Sequence, residues 1–370
     1  MAIKIDCDSH FTPRDIFDDV DPRFGRRRPR QWIDAQGRSL ITYPEREERI
    51  AAYQRQGVGV FTGAFASDSA ASWTSAHASN WDPENRLAYM DRLGMDMQVL
   101  ITGGSPFAYD VDAELGASVC QSHNNAIARV IKKYPGRFIG LTQIPMQDPE
   151  RAIEEIERSI GELGLHGVAM FTNVAGRNLD EPEFWPVYAK IEELDVPLIL
   201  HGSRSAGMLG LERMTKFHLD NTLGFLWEGT SAITSLITGG VLDLFPRLRI
   251  GLTETMCGYL PHLMERLDEL YDEEINGVIK KRPREYVDQF WMVANTLREK
   301  KGIPHFIETF GASRLMVGTD FPHGLGGSGE ATVESVMTHP DLTDEQKDQI
   351  LGLNAAELFR IPIDTNGDRN

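Results

Sequence analysis

The chain has 370 residues, 41% of them hydrophobic and 25% charged, which suits a large α/β domain and excludes a disordered chain. Lysine and arginine number 38 against 55 aspartates and glutamates, so the net charge of −17 repels phosphate backbones and anionic lipid. Neither nucleic acid nor a membrane is expected as a partner. Cys7, Cys120 and Cys257 are too few and scattered for a disulfide framework or a cysteine zinc site. No apolar run approaches the roughly 18 residues of a membrane span, and the N-terminus has no long apolar signal region. The expected location is the cytoplasm.

The first predicted strand runs from Ile3 to Asp8. Residues 12–85 then break any regular pattern, being rich in Arg, Ser and Gly, and are read as an insertion after the first strand that lies over the active face. Within it, Ala64 to Asn80 reads as a surface loop, with a lid as the alternative, and Arg26-Arg27-Arg28-Pro29-Arg30 as a solvated basic run, with a carboxylate-holding site at the mouth as the alternative. From about residue 86 apolar runs alternate with amphipathic stretches, the pattern of βα units around a parallel sheet. The further strands expected are Met97 to Thr102, Phe138 to Gln143, Gly167 to Phe171, Pro197 to His201, Arg249 to Glu254, Phe290 to Val293 and Leu315 to Asp320. Between them, Glu150 to Leu163 predicts a helix whose buried face carries Ala152, Ile153, Ile156 and Ile160. A last helix, about Thr343 to Phe359, opens with a capping box of Thr343 with Glu345 and Gln346, and closes the bottom or side of the fold. The whole chain, 1–370, reads as one domain.

Four metal-binding side chains fall at the ends of these strands: Asp8, His10, His201 and Asp320. A parallel barrel gathers the C-terminal ends of its strands at one mouth, whatever their separation in sequence. Asp8 and His10 stand two apart on extended chain and so share one side. Each residue also has a plainer reading: Asp8 as a turn cap, His10 as a hydrogen-bonded loop residue, His201 as a core histidine, Asp320 as a turn aspartate. Jointly they make an oxygen and nitrogen donor set for one divalent ion, Zn²⁺, Mn²⁺ or another first-row metal.

Ile5-Asp6-Cys7-Asp8-Ser9-His10, Met90 to Val99, Tyr134-Pro135-Gly136-Arg137-Phe138 and Val196 to His201 resemble segments of the amidohydrolase superfamily, in their order. Gly258-Tyr259-Leu260-Pro261, Gly318 to His323 and Leu353 to Phe359 continue the likeness. The branch resembled is amidohydrolase-2, which includes aminocarboxymuconate-semialdehyde and γ-resorcylate decarboxylases. The resemblance implies a distorted (β/α)8 TIM barrel, one divalent metal and a homo-oligomer, dimer or tetramer. Two departures stand out. Asp8-x-His10 replaces the frequent H-x-H, and Glu254 stands where a histidine is common.

By this resemblance the chain is expected to be a carboxy-lyase that removes CO₂ non-oxidatively from a small, aromatic carboxylic acid. Asp320 would deliver the proton, with Glu254, His323 and His218 as candidates to share it. Phe171, Asn173 and Trp227 are candidates for lining the substrate pocket. A hydrolase of a C–C, amide or lactone bond is the alternative on the same site, with the metal activating water and Asp320 accepting its proton. A non-catalytic barrel with a vestigial metal site is the third reading.

Overall fold

The computed structural model describes residues 2–33, 39–44, 81–102, 109–202, 220–294, 299–322 and 329–363. Ten strands occur among them: β1 (Ile5–His10), β2 (Arg30–Ile33), β3 (Ser39–Thr42), β4 (Met97–Ile101), β5 (Phe138–Gln143), β6 (Gly167–Phe171), β7 (Leu198–His201), β8 (Ile250–Thr253), β9 (Phe290–Ala294) and β10 (Leu315–Val317). Eight of these form one sheet in the order β1-β4-β5-β6-β7-β8-β9-β10, each neighbour parallel to the last. The two ends of the sheet meet. His10 N donates to Phe321 O at 2.6 Å and Asp320 N donates to Asp8 O at 2.8 Å, which joins β1 to the chain leaving β10. Every barrel strand is buried along its length, as continuous apolar runs require when side chains fill the interior and helices cover the outside. The fold is a (β/α)8 barrel.

All eight predicted strands are present, Phe138–Gln143 and Gly167–Phe171 with the predicted ends and the other six with shifted ones. β1 continues past Asp8 to His10, because Ser9 and His10 pair with Leu100 and Ile101 after a register shift that follows Asp6. β10 stops at Val317, three residues short of Asp320. A β-carbon on Gly318 would stand 2.4 Å from Val293 Cγ1 and 2.5 Å from Asp8 Cβ, so only glycine lets the chain pass this close to β1.

The helix Pro149–Gly161 is capped by Asp148, whose Oδ1 accepts from Arg151 N at 3.2 Å. Its inward face carries Ala152 and Ile156, with Ile153 and Ile160 partly buried against the core as expected, and it adds buried Glu155 and Ser159. Asn124 is the cause. It donates to Glu155 Oε1 at 2.6 Å and to Ser159 Oγ at 3.2 Å, drawing a polar stripe inward toward the helix Ala113–Lys133. Near the C-terminus Thr343 and Gln346 bond reciprocally, at 3.2 and 2.9 Å, in the expected capping box. Asn354 then donates to Ala312 O and Leu315 O, both at 2.7 Å, which ties this final helical run to the N-terminal end of β10.

The insertion carries structure that the sequence reading lacks. β2 and β3 form an antiparallel pair, and Ile16, Phe17, Val20, Phe24 and Tyr43 make a separate apolar cluster with Val111, Leu115 and Val119. Its boundary at 85 falls inside a helix, Pro83–Leu93, which Asp82 caps. Arg27 lies 3.6 Å from Asp112, and Arg28 donates to Phe17 O at 3.3 Å, so part of the basic run is engaged within the chain. Ala64 to Asn80 lies outside the described residues. Among the described residues no helix is long and apolar enough to cross a membrane.

Candidate metal centre

Asp8 and His10 end β1, His201 ends β7, and Glu254 follows β8 directly. One donor atom from each of these four lies within 4.8 Å of all the others. His10 Nε2 stands 3.0 Å from Glu254 Oε1, 3.2 Å from Asp320 Oδ1 and 3.9 Å from Asp8 Oδ1. His201 Nε2 lies 3.8 Å from the same Glu254 oxygen. Glu254 therefore joins the cluster of four, and Asp320, expected as the fourth donor, stands beside it against His10. Both residues stand on left-handed backbone, Glu254 with φ 58° and Asp320 with φ 56°.

His201 Nδ1 donates to Gly202 O at 2.8 Å, which leaves Nε2 with a lone pair facing the cluster. That Nε2, like Asp8 Oδ1, is buried and has no hydrogen-bond partner. Burial pushes the Asp8 carboxyl well above the usual range, and the charges of Glu254 and Asp320 push it further, against the pull of His10. Burial disfavours a charge on His10, but its bonds to Asp320 and Glu254 outweigh this and hold its imidazole well above its ordinary value. Burial lowers His201. Three carboxylates around two imidazoles in a buried space, with a carboxylate oxygen and an imidazole nitrogen left unpaired, fit one divalent cation.

Two supports lie behind this cluster. Asp6, fully buried, accepts from Thr319 N at 2.9 Å, Thr319 Oγ1 at 2.6 Å and Gln98 Nε2 at 2.8 Å, so it fixes the residue before Asp320. Arg86 donates to Ser9 Oγ and Gln98 Oε1, both at 3.0 Å, and to the carbonyl of His10. On the other side Glu299 Oε1 accepts from Cys257 N at 2.8 Å and Gly258 N at 2.7 Å, holding the turn that carries Glu254. None of these was expected to serve the site. Asp6 carries a signal in its place within the first-strand motif, whereas Arg86 and Glu299 look like ordinary charged residues.

The expected pocket residues divide. Phe171 is buried with its ring 6.2 Å from that of His201. Asn173 is buried, its amide donating to Glu228 Oε2 at 2.7 Å and its Oδ1 accepting from Gly176 N at 2.9 Å. Trp227, 49% exposed, faces outward while the next residue, Glu228, is buried. His218 and His323 lie outside the described residues. A separate open groove of about 590 Å³, lined by Arg129, Lys132, Phe138 and His166, sits at the opposite end of β5 from the centre. It contains none of the clustered side chains.

Strands ending in a ring of carboxylates and imidazoles at the C-terminal mouth define a metal-binding barrel. A family model described as amidohydrolase matches residues 5–361, and the chain belongs to that family. It is 32% identical over 286 residues to a 2-amino-3-carboxymuconate-6-semialdehyde decarboxylase from Dictyostelium discoideum, spanning 76% of this chain and 77% of that one. A gamma-resorcylate decarboxylase from Polaromonas is 29% identical over 259 residues, 65% of this chain and 76% of the other. Among solved structures, a 5-carboxyvanillate decarboxylase from Novosphingobium aromaticivorans with bound manganese shares the fold, with a TM-score of 0.76, 24% identity and 97% of each chain covered.

Proposed function

We propose that this protein is a metal-dependent carboxy-lyase that releases CO₂, without oxidation, from a small aromatic carboxylic acid. The observation that carries the reading is the meeting of Asp8, His10, His201 and Glu254, with Asp320 against His10, in a chain whose relatives over most of its length are decarboxylases. Asp8, His10, His201 and Glu254 would hold the ion. Both Zn²⁺ and Mn²⁺ accept such donors, and the manganese bound in the related fold makes Mn²⁺ the first to try. Once bound, the ion supplies a positive charge for the substrate's carboxylate and a neighbouring oxygen.

The remaining work falls to the chain. Asp320, outside the group of four donors, hands a proton to the ring carbon that bears the carboxylate. The new C–H bond forms, the C–C bond breaks, its electron pair returns to the ring, and Asp320 is left ionised until solvent restores its proton. His10, itself held against Glu254, keeps Asp320 in place, and buried Phe171 packs against the substrate ring. Three buried thiols, Cys7, Cys120 and Cys257, support a reducing compartment such as the cytoplasm as part of this reading.

The test is release of CO₂ from a panel of hydroxybenzoates by manganese- or zinc-loaded protein, with amides and lactones in parallel. Release abolished in Asp320→Asn supports the lyase. Water-dependent cleavage of the amides or lactones, with no CO₂ from any carboxylated aromatic, overturns it. Light scattering on the same protein tests the expected dimer or tetramer.

A further inference from the structure

Gln143 closes β5 with its side chain 1% exposed, and neither its carbonyl oxygen nor its amide nitrogen has a hydrogen-bond partner. Its main chain, by contrast, is pinned: Gln143 N donates to Asn124 Oδ1 at 2.8 Å, and Gln143 O accepts from Asn124 Nδ2 at 2.9 Å. Register shows where the side chain points. Gln143 pairs with Ala169, Ala169 pairs with Ile199, and Ile199 shares its face with His201 two residues on. Gln143 therefore stands on the interior face of the barrel, the face of the metal cluster, one layer below Phe171. Tyr109 packs edge-on against that phenylalanine, with ring centroids 6.0 Å apart.

Among the described residues, the buried groups on or next to this face with no hydrogen-bond partner include Asp8 Oδ1, His201 Nε2, Thr253 Oγ1, Trp291 Nε1 and the amide of Gln143. The first two are accounted for by the cation. Thr253 pairs in register with His201 and so lies at the metal end. Trp291 Nε1 is a donor alone, and of these groups in the described residues only Gln143 offers both a donor and an acceptor away from the cation, one layer below Phe171. Buried amides are almost always hydrogen-bonded, and one kept unpaired inside a ligand site rejects molecules that lack the matching group.

We propose that Gln143 is a specificity-determining residue that recognises a second hydroxyl on the substrate ring, remote from the oxygen beside the carboxylate. A hydroxyl accepts from the amide N–H and donates to the amide oxygen at once, satisfying both halves. A second carboxylate would leave Gln143 Oε1 facing negative charge, in a site that already holds Asp8, Glu254 and Asp320. The assignment rests on the reading of the site as one for aromatic acids.

The experiment uses the manganese-loaded protein and calorimetric binding of 2-hydroxybenzoate against the four 2,n-dihydroxybenzoates. At least one dihydroxybenzoate is expected to bind the parent tenfold or more tightly than 2-hydroxybenzoate. Gln143→Met and Gln143→Leu should bring the pair within twofold, leave the Kd of 2-hydroxybenzoate within twofold, and leave the ligand-free Tm equal or raised. No preference among the acids in the parent overturns the proposal. So does equal loss of both ligands in the variants, or a lowered ligand-free Tm in both, which would mark Gln143 as structural. Binding needs no turnover, so a hydroxyl preference without CO₂ release would sink the lyase reading and keep Gln143 in its role.

Discussion

Glu254 and Asp320 converge on one atom, Nε2 of His10, at 3.0 and 3.2 Å, and both do so from left-handed backbone. A non-glycine residue in that conformation costs on the order of 1–3 kcal/mol, so the framework must hold each turn in place. Glu299 clamps one through the amides of Cys257 and Gly258, and Asp6 clamps the other through Thr319. The strain thus sits at the two carboxylates nearest the imidazole.

Replacing Glu254 separates strain from function. Glu254→Gly should relieve the left-handed backbone and leave thermal stability in the metal-free protein equal or higher, because glycine adopts φ 58° without penalty. Metal affinity should nevertheless fall by at least the roughly tenfold to hundredfold lost when outer partners of a metal site are removed. Calorimetric titration with Mn²⁺ checks the second point and a melting curve the first. Unchanged affinity would remove Glu254 from the metal site.

Removing the ion should expose the cost of the two unpaired atoms, Asp8 Oδ1 and His201 Nε2. Manganese or zinc at about 100 times its Kd is expected to stabilise the fold by about 2.7 kcal/mol, and dialysis against a chelator should reverse this. His201→Ala should bind little metal by elemental analysis and show no such dependence. A protein that melts identically with and without the ion, and carries none after purification, would leave only the vestigial barrel.

The parts legible in the sequence are those where local chemistry and burial agree. Leu198–His201 and Leu315–Val317 are apolar runs buried on both faces, so they read as barrel strands wherever they lie in the chain. Asp8, His10 and His201 read as strand-end donors for the same reason. The place of Glu254 among the clustered donors is not legible, because nothing in Thr253-Glu254-Thr255 signals a left-handed residue. Arg86 is hidden by its helix: a charged residue among polar neighbours in Pro83–Leu93 looks solvent-facing, yet tertiary packing buries it completely. The pair β2 and β3 is hidden by brevity, since four-residue strands flanked by Arg and Pro carry little periodic signal.

Acid should weaken the fold through His123. Burial, only partly offset by its bond to Asn124 Oδ1 at 3.0 Å, brings this imidazole from 6.5 down to about 4. A base whose folded pKa is depressed adds stability above pH 6.5 and loses it as pH falls from 6.5 toward about 4. At about 1.4 kcal/mol per pH unit the loss is roughly 3 kcal/mol over that window. Urea unfolding at a series of pH values should show the decline, and His123→Gln should flatten it. An equal slope in the variant would assign the acid sensitivity to other groups.

Arg86 carries the last prediction, because it joins the outer helix to the strand that ends in His10. Its guanidinium is buried among Ser9, Gln98 and the His10 carbonyl, with the Phe11 and Phe321 rings 5.1 and 5.0 Å away. Burial lowers its pKa to about 9, against the opposing pull of Asp6, so it remains charged at neutral pH. Hydrogen bonds from a charged donor contribute about 1.5–3 kcal/mol each, so Arg86→Met should cost about 3 kcal/mol or more in urea unfolding. Arg86→Lys keeps the charge but not the planar fork, and cannot reach Ser9, Gln98 and the carbonyl together. It should therefore also weaken Mn²⁺ binding, because His10 loses the anchor on its own carbonyl. A lysine variant with parental stability and parental metal affinity would show that charge alone, and not the three-way fork, holds the end of β1 in place.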